Sequence, residues 1–154
     1  MANTKTRGKS GKLFNRNLHL AKACHLIQNG DFVTMTVAAS RVANADCIDG
    51  NIFIANRKYF IVGVSEVHTT AGSDGSAVTL DIKKCTGTQT PAQGTTILTS
   101  TFNMKGTAQT VQTGSLVTTP STLTLAAGDR LAFDFEGTVT ALAGVQVTLD
   151  LIPA

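Results

Sequence analysis

The stretch Lys58–Lys84, KYFIVGVSEVHTTAGSDGSAVTLDIKK, decides how the rest of the chain is read. Its first half, Tyr59–Val67, is rich in aromatic and β-branched residues, the side chains that pack best on a pleated surface. In its second half Val78, Leu80 and Ile82 alternate with Thr79, Asp81 and Lys83, the period-2 spacing of a strand with one wet face. Between the halves, Thr69–Ser76 supplies the Gly and Asp that connecting loops use for positive φ and local hydrogen bonds. The expectation is a central hairpin, two strands folded back on each other around that loop.

Downstream the same period returns. Leu131, Phe133 and Phe135 alternate with Ala132, Asp134 and Glu136, and Val145, Val147, Leu149 and Leu151 alternate with Gln146, Thr148 and Asp150. Ala126-Ala127-Gly128-Asp129 makes a tight turn between Leu125 and Leu131. Thr95–Phe102 has extended character, whereas 85–94 is a polar loop and 105–115 is small, polar and loop-like. Upstream, Phe32–Val37 and Ile52–Ile54 are strand candidates separated by the loop Asn44–Asn51. About eight short strands joined by Gly, Thr and Asp loops indicate an all-β fold, an antiparallel β-sandwich that is jelly-roll-like. No repeat of 20–50 residues runs through the chain, which excludes solenoids and propellers.

Charge divides the chain. Residues 1–30 hold Lys5, Arg7, Lys9, Lys12, Arg16 and Lys22 and no acidic residue, whereas the remainder has seven basic residues against ten acidic ones. The total of +3 therefore combines a cationic arm (1–30) with a mildly acidic sandwich domain (31–154). The first twelve residues, polar and Gly-containing, are expected to be disordered or draped on a partner. Leu13–Gln28 allows either a helical stripe or an extended segment lying on the body. The arm could release counterions from phosphates, strap onto an acidic protein surface, or simply remain solvated. With no aromatic before Phe14 and no nucleic-acid fold motif, nucleic acid is not the expected partner.

Threonine is dense from Thr69 to Thr148, charge is low at 15%, and there is one Tyr and no Trp. Such a β-branched but uncharged composition suits a shell or fibre component. Cys24, Cys47 and Cys85 have no C-x-x-C spacing and are odd in number, so they read as free thiols of a protein made in a reducing cytoplasm. The longest apolar run, Tyr59–Val64, is far short of a membrane span, and no signal peptide is expected.

The search for chemistry ends without an enzyme. There is no G-x-S-x-G, P-loop or G-x-G-x-x-G, and Gly72–Ser76 has too few carboxylates for calcium. His19 and His25 lack metal-pair spacing. Glu66 and His68 share a strand face near Asp74 and could form a proton-transfer fragment. A structural role, or one at a subunit interface, is the expectation for Glu66, His68 and Asp74. Neither a metal, a cofactor nor a small-molecule substrate is expected.

Three blocks carry a resemblance. EVHTTAGSDGSAVTLDIKKCTGT (Glu66–Thr88), KGTAQTVQTGSL (Lys105–Leu116) and LAAGDRLAFDFEGTVTALAGVQVTL (Leu125–Leu149) resemble capsid decoration, or cement, proteins of tailed bacteriophages. The similarity runs from Ile52 to Leu151 and leaves the arm unmatched. It implies a structural virion protein that assembles as a homotrimer on the capsid exterior and bridges major capsid proteins, with Lys5, Arg7, Lys9, Lys12, Arg16 and Lys22 as a capsid-binding arm. The alternative is a receptor- or glycan-binding module of a fibre or tail. That alternative calls for exposed aromatics, whereas Tyr59 and most of the seven Phe lie in core-like positions.

Overall fold

The computed structural model describes residues 35–41, 49–73 and 75–153. Among these it forms ten strands: β1 (Met35–Arg41), β2 (Gly50–Ile54), β3 (Tyr59–Val67), β4 (Thr79–Cys85), β5 (Thr95–Thr96), β6 (Phe102–Asn103), β7 (Gln112–Thr113), β8 (Thr124–Leu125), β9 (Arg130–Glu136) and β10 (Val145–Pro153). They make two antiparallel sheets. The first runs β1-β10-β3-β7 with β8 also on β3, and the second runs β2-β9-β4-β5 with β6 also on β4. The protein is an all-β antiparallel sandwich.

The two long C-terminal strands are the spines of the two sheets. β10 lies between β1 and β3 and sends Val145, Val147, Leu149 and Leu151 inward, all with no exposure. β9 lies between β2 and β4 and contributes the fully buried Leu131 and Phe133. Between them one core collects Ile61 and Val64 from β3, Leu80 and Ile82 from β4, Phe102 from β6, and Ile97 and Leu142 from connecting segments. Burying a single such side chain contributes about 1.5–3 kcal/mol, so the alternating pattern alone is enough to set which face turns in.

The expected hairpin does not form. β3 pairs with β10 in the first sheet, and β4 pairs with β9 in the second. Residues 68–78 cross from one sheet to the other instead of turning back. They are pinned on the way, with Thr70 bridged to Ala143, the Gly72 amide donating to Met104 O at 2.9 Å and the Ser73 amide to Thr140 O at 3.3 Å. The reason is physical: an apolar strand face is buried as well by facing a partner across a sandwich as by lying beside it. A link of this length is also well beyond the two to five residues that hold a hairpin together. Gly144, at φ +64°, lets the 140–144 segment close onto this crossing, since a Cβ there would run into the Thr69 side chain.

β3 carries one extra residue. Asp150 pairs with Gly63 but the next residue, Leu151, pairs with Ile61, so Val62 has no partner of its own. The inward set consequently changes parity along the strand, from Tyr59 and Ile61 to Val64 and Glu66, with His68 following.

The turn at 126–129 forms as expected. The Ala126 amide donates to Asp129 Oδ2 at 2.8 Å, the Asp129 amide donates to Ala126 O at 3.1 Å, and Gly128 supplies φ +91°. The 105–115 segment, read as loop, contains β7, and a helical turn, Pro120–Leu123, precedes β8.

Candidate functional site

The change of parity in β3 puts Glu66 and His68 inside the sandwich, at 1% and 0% exposure. His68 Nδ1 lies 2.9 Å from Glu66 Oε1, and His68 Nε2 lies 3.2 Å from Gly106 O. The Gln112 side-chain amide donates to Glu66 Oε2 at 2.8 Å. Burial pushes the Glu66 carboxyl above its ordinary range, and the bonds to His68 and Gln112 only partly offset this. As an acid–base pair it is sealed, because general catalysis needs hydrogen-bond reach to a substrate and neither side chain reaches the surface of the chain. Both side chains are buried within the chain itself. Their contacts are to each other and to the 103–113 segment.

Asp74 and the arm cations Lys5, Arg7, Lys9, Lys12, Arg16 and Lys22 lie outside the described residues. Among the described residues no group of three His, Cys, Asp or Glu could hold a metal ion, and no helix is long and apolar enough to cross a membrane.

The outer face of the second sheet carries a charge cluster missing from the sequence reading. Asp81 and Asp134 are opposite partners on β4 and β9, and the Lys83 ammonium lies 2.9 Å from Asp81 and 3.4 Å from Asp134. Thr96 Oγ1 donates to Asp81 Oδ1 at 2.7 Å. Sequence spacing groups Asp134 with Glu136 as solvated or interface carboxylates. In the fold Asp134 is 8% exposed and paired, while Glu136, at the strand end, is exposed. The missing signal was the neighbour: Lys83 follows Asp81 by two residues on one face, but which strand lies alongside is not written in that spacing.

Lys84, on the inner side of β4, runs out at the end of the sandwich and donates to Ser121 O at 3.1 Å and Thr124 O at 2.5 Å, with Asp129 Oδ2 at 3.5 Å. It borders a polar cleft of about 240 Å³ lined by Thr86, Gln89, Thr95, Ser121 and Thr122.

The outer face of the first sheet differs in kind. Thr36, Ala38 and Ser40 on β1 are exposed, as is Gln146 on β10, and Phe60 and Val62 on β3 are 40% and 47% exposed. Val111, just before β7, is 64% exposed. Charge on this face comes from Asp150, which accepts a hydrogen bond from Thr36 Oγ1 at 2.9 Å, and from the Lys58 ammonium, 5.1 Å from the centre of the Phe60 ring. A surface with exposed apolar side chains and little charge is one that protein partners can cover at low desolvation cost.

No protein-family model and no curated relative matches the chain. Among solved structures it is similar to a chain of the cyanophage Pam1 capsid asymmetric unit, at 12% identity and a TM-score of 0.53, over 80% of this chain and 86% of that one. At that identity the likeness is one of fold, and it spans most of both chains.

Proposed function

We propose that this chain is a structural protein of a phage virion that binds the outer surface of the capsid and stabilises it by bridging major capsid proteins. The observation that carries the reading is the sandwich, a fold shared over 80% of the chain with a chain of a cyanophage capsid asymmetric unit. The three sequence blocks that resemble decoration proteins support it independently. We also read the interleaved strand order, with the first strand beside the last in one sheet and the second beside the ninth in the other, as jelly-roll-like. In this reading the body associates with itself, as a homotrimer, through the weakly charged outer face of the first sheet, where copies meet without like-charge repulsion. The cationic arm straps onto the shell, and many symmetric copies raise the effective concentration of each weak contact. The role is structural rather than catalytic.

The test is to mix purified protein with heads that lack it, sediment them, and measure the temperature at which the heads release DNA. Saturable binding and a higher release temperature are expected, with binding weakened by deletion of residues 1–16. Heads that neither bind the protein nor resist heat refute the reading. A receptor- or glycan-binding module of a fibre or tail is the second reading, and the hydroxyl-lined cleft beside Lys84 is the observation that favours it. Oligosaccharide binding that Thr122→Val abolishes would support that reading instead.

A further inference from the structure

Hydrogen-bond bookkeeping around Glu66 and His68 leaves room for one proton. Gly106 O only accepts, so His68 Nε2, 3.2 Å away, carries a hydrogen. Gln112 Nε2 donates, so Glu66 Oε2, 2.8 Å away, accepts. The remaining gap is the 2.9 Å between His68 Nδ1 and Glu66 Oε1. A single proton there makes every bond, whether it rests on nitrogen, as imidazolium facing carboxylate, or on oxygen, as carboxylic acid facing neutral imidazole. Both arrangements are neutral overall. Without it, two lone pairs face each other and a net negative charge is left at a site with 0–1% exposure.

The pair also holds the 103–113 segment. Gly106 O and the Gln112 side chain are its two attachments to the pair, and the Gln109 amide donates to His68 O at 2.8 Å. Gln112 in turn pairs with the backbone of Asn103, its amide donating to Asn103 O at 2.9 Å and its oxygen accepting from Asn103 N at 3.3 Å. Among the described residues, the side chains that act on Glu66 are those of His68 and Gln112. β10 places Val147 opposite Glu66, and Lys105 on the segment donates to Ser76 O at 3.3 Å.

We propose that the proton shared by His68 Nδ1 and Glu66 Oε1 is a latch: the 103–113 segment is closed on β3 while the pair holds it and opens when rising pH removes it. The raised carboxyl of Glu66 agrees with a pair that retains its proton in the folded state. The segment that opens carries the exposed Val111 and the fully buried Met104, and borders Phe102 of the core. This device stands apart from the capsid reading and holds or fails independently of it.

The test is amide hydrogen exchange of the full chain, followed by NMR as protection factors while pH rises from the ordinary carboxyl range of Glu66. Protection at Gly106 and Gln109 should fall by about tenfold or more as the pair loses its proton, while β9 and β10 amides hold. In Glu66→Gln the new amide can donate to neutral His68 Nδ1 and accept from Gln112, so no proton is left to lose and protection should stay flat. A flat wild-type profile, or the same fall in Glu66→Gln, overturns the proposal. Should that variant fail to fold, the ¹⁵N shift of His68 Nδ1 in the wild type decides. A titration step coincident with loss of protection supports the latch, and a step separated from it overturns the latch.

Discussion

Asp81 and Asp134 stand directly opposite each other on β4 and β9, both almost buried, and the ammonium of Lys83 lies within reach of the two carboxylates at once. Like charges in that position are destabilising unless something neutralises them. Replacing the ammonium by a methyl, Lys83→Met, leaves the carboxylates facing each other with little solvent. The expected cost is about 2–3 kcal/mol in a urea titration at neutral pH, below the value for a fully buried pair because Lys83 keeps some exposure.

The same cluster sets an alkaline limit. Burial pulls the Lys83 ammonium down, but the hydrogen bond and charge of Asp81, with those of Asp134, outweigh it and hold the group above its ordinary 10.5. Its stabilising contribution is therefore complete below that value and is lost as pH rises through the higher folded value. Urea midpoints of the wild type should drop in that alkaline range, and those of the double variant Asp81→Asn, Lys83→Met should not show this step.

Gly114 marks a place where the core admits no added atom. A Cβ there would sit 2.8 Å from Phe102 Cζ and Val64 Cγ1 and 2.9 Å from Leu98 Cδ2. Gly114→Ala should cost about 1–3 kcal/mol by overpacking, read as a lower thermal midpoint.

Lys84 fastens the turn Pro120–Leu123 to the second sheet through the carbonyls of Ser121 and Thr124. Lys84→Met keeps the aliphatic stem but removes the donor to both carbonyls, one exposed and one half-buried. A loss of about 1–2 kcal/mol is expected, with faster proteolytic cleavage confined to 119–124.

Val62 tests the outer face of the first sheet. It is nearly half exposed, so Val62→Glu should leave stability within about 0.5–1 kcal/mol. If the proposed self-association runs through this face, sedimentation should show it lost in Val62→Glu, since a carboxylate would then repeat at every copy of the contact. Unchanged association would move the contact elsewhere.

Alternation made the faces of β9 and β10 legible, because Leu131 with Phe133 and the run Val145–Leu151 keep strict period over a whole strand. Gly128 with Asp129 made the turn from β8 into β9 legible. Neighbours were not legible, and the segment 58–84 shows why: an apolar face can be satisfied beside a strand or across from one, and spacing is silent on the choice. Two-residue strands such as Thr95–Thr96 and Gln112–Thr113 are too short to carry any period. For the site, spacing correctly put Glu66 and His68 on one face. Which face depended on the unpaired Val62, and a bulge leaves no mark in a run of β-branched residues.

That single unpaired residue works like a frameshift written in space rather than in codons. Upstream of it the odd-numbered side chains of β3 belong to the core, and downstream the even-numbered ones do. The same strand paired without that bulge would wear its acid and its imidazole on the outside and swallow Ser65 and Val67 instead. The surface the protein shows and the proton it hides are thus two readings of one strand, separated by a single insertion.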